Sequence, residues 1–99
     1  MGATSGGILI DNGTNSMPNT VAVPSKFVEV HSYSFTPSGG THAFTIVTYQ
    51  DGKNPGKFWF TITNTNTSNQ ALSNRSHSSE QRACQAAVFQ LNAAPNMLS

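Results

Sequence analysis

Four side chains between residues 49 and 59 are of the types that meet nucleic acid: Tyr49 and Trp59 could stack on unpaired bases, and Lys53 and Lys57 could neutralise phosphates. Base stacking on an aromatic ring is worth about 1–3 kcal/mol per base, and each neutralised phosphate releases counterions. The same residues also have a purely structural use. Tyr49 and Trp59 would form a cross-strand aromatic pair in any hairpin, and two lysines in a turn would guard its edge. Other chemistries are poorly served. Cys84 is the single cysteine, so no internal disulfide is expected, and its place on an apolar helix stripe reads as a small core hydrophobe rather than a nucleophile. His31, His42 and His77 lack a Cys partner and a His-x-x-x-His spacing, so no metal site is expected. Asp11, Glu29, Asp51 and Glu80 form no paired acid–base set, and no Gly-rich phosphate loop precedes a helix. Neither an enzyme nor a cofactor is expected.

Charge is sparse. Only 9% of the 99 residues are charged, with a net of +1, against about 25% in ordinary domains. Asn, Ser and Thr supply 33 residues, a surface that hydrogen-bonds without charge and can be buried against a partner at lower desolvation cost. A chain of this length makes one domain, 1–99, and a core of this size buries only about 60–65% of the unfolded surface. With disulfides and metals set aside, oligomerisation is the expected source of stability. No apolar run reaches the roughly 18 residues of a membrane span, and Met1-Gly2-Ala3-Thr4-Ser5 lacks the basic and apolar regions of a signal peptide. A soluble, unexported chain is therefore expected, and the sequons at Asn12, Asn66 and Asn74 are expected to stay unmodified.

The elements follow from periodicity. Ile8-Leu9-Ile10 and Thr20-Val21-Ala22-Val23 read as two short strands joined by a loop at 14–19. Residues 27–35 read as a longer strand with imperfect alternation: Val28 and Val30 fall on one face, and Phe27, Glu29, His31, Tyr33 and Phe35 on the other. The clearest element is a hairpin over 43–63. Period two places Phe44, Ile46, Phe58, Phe60 and Ile62 on one face, with Thr45, Val47, Tyr49, Trp59, Thr61 and Thr63 on the other. Five large apolar side chains could contribute on the order of 10 kcal/mol once covered. The connection at 50–56 carries two glycines and a proline, as a turn requires.

The cover is expected from a helix. Residues 64–79 are almost wholly polar, broken only by Ala71-Leu72, and read as a loop with at most a very short strand. Ser78-x-x-Gln81 has the form of a capping box, and Cys84, Ala87, Val88 and Leu91 follow at i, i+3, i+4 and i+7. Pro95 ends the helix. Phe89 lies about 140° around the helix from Cys84 and serves either as a flank of the core or as a contact for a partner. With Val88 and Leu91 it marks the candidate assembly surface. The expected fold is α+β: an antiparallel sheet, built as an N-terminal hairpin plus meander, with one C-terminal helix on one face and completion by dimerisation.

This order of elements resembles the coat proteins of single-stranded RNA bacteriophages. Ile8-Leu9-Ile10-Asp11-Asn12-Gly13 leading to Thr20-Val21-Ala22-Val23-Pro24-Ser25-Lys26-Phe27 is similar to their N-terminal hairpin, residues 44–62 with Gly56-Lys57-Phe58-Trp59-Phe60-Thr61 to their central hairpin, and residues 78–91 to their first C-terminal helix. The chain looks like a shortened member, lacking the family's later strands and second helix after Thr63. The resemblance implies a sheet paired edge to edge with a second copy, and dimers closing a shell around the genome. It also implies an RNA stem-loop site on the sheet face away from the helices, here Thr45, Val47, Tyr49, Lys57, Trp59, Thr61 and Thr63, with Lys53 nearby in the turn. The partners implied are a second copy and single-stranded RNA, with no membrane, and the location a virion assembled in a bacterial cytoplasm. A monomeric glycan-binding β module and a pilus or tail subunit remain open alternatives.

Overall fold

The computed structural model describes residues 7–13 and 23–99. Five strands, β1 (Ile8–Asp11), β2 (Phe27–Thr36), β3 (Phe44–Asp51), β4 (Phe58–Asn64) and β5 (Gln70–Leu72), precede one helix, α1 (Glu80–Ala93). The strands form a single antiparallel sheet in the order β1-β2-β3-β4-β5, so the fold is α+β. Consecutive strands are neighbours throughout, as short connections favour. Within the described residues β1 pairs with the far half of β2, Leu9 opposite Phe35 and Asp11 opposite Tyr33. The loop at 14–19 and residues 20–22 lie outside the described residues.

The central hairpin has the expected faces. Ile46 faces Ile62 across the β3–β4 ladder, and Tyr49 faces Trp59. Phe44, Ile46, Phe60 and Ile62 are buried with Phe35 against Ala83, Cys84, Ala87, Val88 and Leu91 of α1, and Phe58 packs half-buried at the margin of this core. The turn is held by Asp51, whose Oδ1 accepts from the N–H groups of Lys53 at 2.9 Å and Asn54 at 3.2 Å and whose Oδ2 lies 3.1 Å from Lys26 Nζ. Gly52 is required there, because a Cβ would fall 2.7 Å from the Lys26 carbonyl oxygen.

The uneven alternation of β2 has a definite cause. The ladder with β3 shifts register between Glu29 and His31, a β-bulge that reverses the facing of the strand's first half. Phe27 therefore lies with Tyr49 and Trp59 on the sheet face away from α1, while Phe35 enters the core. Strict period two would place Phe27 on the same side as Tyr33 and Phe35, and the bulge corrects that expectation.

The helix begins one residue later than the capping-box pattern predicts. Ser79 is the N-cap, its side chain accepting from Arg82 N–H at 3.1 Å, which leaves Gln81 outside the cap. The polar stretch before it contains β5, the short strand anticipated at Ala71-Leu72, joined to β4 by a turn with Ser68 at φ +63°.

Candidate functional site

The sheet face away from α1 is floored by Thr45, Val47, Tyr49, Thr61 and Thr63, all buried, with Val47 at 1% and Thr61 at 0% exposure. Phe27 stacks on Trp59 with ring centroids 5.3 Å apart and an interplanar angle of 27°, and it lies 6.1 Å from Tyr49. The predicted pair is thus a three-ring cluster, with Trp59 half-exposed. Two polar atoms here, Trp59 Nε1 and Thr61 Oγ1, are buried without a hydrogen-bond partner among the described residues. Lys53 and Lys57 are exposed in the adjoining turn, and neither is ion-paired among the described residues, whereas Lys26 is committed to Asp51. Of the eight residues singled out for RNA contact, Lys53, Lys57 and Trp59 therefore present surface, and the other five are buried. Phe27 is the member that sequence reasoning missed, and the broken alternation of β2 was its signal.

The other face is covered unevenly. Four interstrand steps make a five-stranded sheet roughly 19 Å wide, and one helix is about 10 Å across. The helix α1 packs on β3 and β4. A groove remains on each side of it. Toward β1 a depression of about 230 Å3 is lined by Leu9, Tyr33, Glu80, Cys84 and Val88. Toward the β5 edge a groove of about 330 Å3 is lined by Phe60, Arg75, His77, Ala86 and Phe89, and a second of about 210 Å3 adjoins it over Ile62, Ala71 and Leu72. Of the three assembly candidates Val88 and Leu91 are spent in the chain's own core, and Phe89 stands 77% exposed on the groove wall.

Electrostatics around α1 are set by a few contacts. Glu80 Oε2 accepts from Tyr33 Oη at 2.7 Å and from Thr48 Oγ1 at 2.9 Å, tying the first residue of the helix to β2 and β3. Burial and the Glu80 bond push the Tyr33 phenol far above its usual range. Burial, with the Glu80 charge, pushes the Cys84 thiol up to about 11, so it stays protonated at neutral pH. Burial first and the Arg75 charge second hold the His77 imidazole below its usual value, consistent with its ring stacking 5.8 Å from Phe60. Among the described residues, His31, His42 and His77 are not brought together, and no group of three His, Cys, Asp or Glu side chains could hold a metal ion. No described helix is long and apolar enough to cross a membrane.

Compared with known proteins, the chain matches no family model, no curated protein and no solved structure.

Proposed function

We propose that the chain is a structural coat subunit of the single-stranded RNA bacteriophage type, which dimerises and assembles into a shell enclosing RNA. In support, β5 is a sheet edge paired on one side only among the described residues, and an open apolar groove carrying Phe89 runs beside it. An unpaired edge beside an uncovered aromatic is the arrangement that a second copy can complete on both counts. The two-fold form of such a contact uses the same patch on both copies and closes on itself. In this reading RNA meets the turn end of the opposite face through Trp59, Lys53 and Lys57, while Thr45, Val47, Tyr49, Thr61 and Thr63 are buried. The chain acts without catalysis or cofactor, in a virion assembled in the bacterial cytoplasm.

Size-exclusion chromatography with electron microscopy of the purified protein tests the proposal. Closed particles with an ultraviolet spectrum dominated by nucleic acid are expected. A stable monomer at high concentration would overturn it and favour a glycan-binding module, while open fibres would favour a pilus or tail subunit. Trp59→Ala is expected to lower the RNA content of particles while leaving dimerisation intact; unchanged RNA content would remove Trp59 from the RNA-facing set.

A further inference from the structure

Asn64, at the end of β4, is fully buried and uses both ends of its amide. Its Oδ1 accepts from the backbone N–H groups of Asn66 at 2.9 Å and Thr67 at 3.3 Å. A backbone N–H can only donate, so the orientation of the amide is determined. Its Nδ2 therefore faces Met97 O at 3.2 Å and His42 Nε2 at 3.0 Å. An amide nitrogen can only donate as well, so His42 Nε2 must carry a lone pair. The single ring proton then sits on Nδ1, where Thr41 Oγ1 lies 3.2 Å away.

The same turn holds the end of the chain. Leu98 O accepts from Thr67 Oγ1 at 2.7 Å and from Asn69 Nδ2 at 3.1 Å, while Met97 and Leu98 pack against the core. Asn64 organises that turn through its main chain too: its carbonyl accepts from Ser68 N at 2.7 Å, and its N–H donates to Asn69 O at 2.9 Å. One buried amide thus links the imidazole to the strap at 94–99.

We propose that His42 and Asn64 form an acid-released latch on the C-terminal segment. A proton added at His42 Nε2 turns an acceptor into a donor facing a donor, which displaces the Asn64 amide and frees the Met97 carbonyl directly and the Leu98 carbonyl through the turn. Among the described residues, the side chains that bond to or stack on His42 are Thr41 before β3, Phe44 on β3 and Asn64 on β4, none of them charged.

Amide hydrogen exchange of the full chain, expressed as protection factors at pH about 7.5 and about 5, reads the latch across the range where imidazoles protonate. Protection of Asn66, Thr67 and Met97 is expected to fall about five- to tenfold in acid, the loss of roughly one net hydrogen bond, while the β3–β4 ladder keeps its own. His42→Gln, whose side-chain oxygen accepts at both pH values, is expected to abolish the response; Asn64→Ala, which removes the donor, is expected to open the strap at both. The ring nitrogen shifts of the unmodified protein give a readout independent of folding of the variants, with protonated Nδ1 expected at neutral pH. Unchanged protection in acid, a response that survives in His42→Gln, or a neutral ring protonated on Nε2 would each overturn the latch.

Discussion

Glu80 joins three elements through one oxygen atom. Tyr33 and Thr48 both donate to it, and its charge sits on the first residue of α1, where the helix dipole favours an anion. Glu80→Ala is expected to cost about 1–3 kcal/mol, since it leaves the Tyr33 hydroxyl without its acceptor and the Thr48 hydroxyl with only the longer bond to His31 O at 3.4 Å, and to lower the urea midpoint at constant slope. Glu80→Gln, which retains an acceptor oxygen, should cost less. Two other carboxyls make stability depend on pH. Burial raises the Asp51 carboxyl, but the Lys53 N–H, the Lys26 ammonium and the Asn54 N–H together outweigh it and hold it below 3.8. The Gly13 N–H, followed by the His31 side chain, holds Asp11 below the same value. A carboxyl depressed by folding adds stability that is complete above its unfolded value and is lost as the pH falls through the folded one. Denaturant midpoints measured across an acid series should therefore decline below about pH 4 as these two carboxyls protonate, after a shallower decline that starts near pH 6.5 where the unfolded chain protonates His77, and Asp51→Asn should flatten the lower decline.

At the scale of elements, the helix is sound as a core piece and open as a surface. Leu91 is fully buried among sheet residues, so Leu91→Ala is expected to cost about 2–5 kcal/mol in chemical denaturation, the transfer of its side chain plus the cavity left behind. The β3–β4 hairpin is strong because its two faces do different things: aliphatic and aromatic side chains meet α1 on one, and threonines with the Phe27–Trp59 stack fill the other. The bulge in β2 belongs to this economy. It lets a single strand deliver Phe35 to the core and Phe27 to the opposite face within ten residues.

For the whole molecule, the mismatch between one helix and five strands dominates. The sheet's flanks stay open beside α1, and Phe89 lines the opening next to β5. Phe89→Ala is expected to leave the unfolding free energy of the monomer within about 0.5 kcal/mol, as for other exposed positions, while abolishing the proposed dimer in size-exclusion chromatography or sedimentation. Dimers that persist in that variant would move the contact away from the groove. Ile8 and Ile10, also exposed on β1, would then be the next apolar candidates.

Much of the fold was legible in the residues themselves. Period two in 44–49 and 58–63 placed the faces of the hairpin, and the i, i+3, i+4, i+7 spacing of Cys84, Ala87, Val88 and Leu91 placed the buried side of α1, because both follow from backbone geometry that every residue shares. Phe89 was legible as an outlier of that stripe, though not whether it was covered. What tertiary structure alone decided depended on contacts between residues distant in sequence. The pairing of β1 with β2, the bulge that turns Phe27 toward Trp59, and the burial of Thr45, Val47 and Thr61 leave no local signature beyond a faltering alternation. Tyr33, Thr48 and Glu80 are likewise unremarkable in the sequence, being up to 47 residues apart, and meet only because β2, β3 and α1 are stacked. Periodicity is a property of one segment; a site is a property of how segments are laid together.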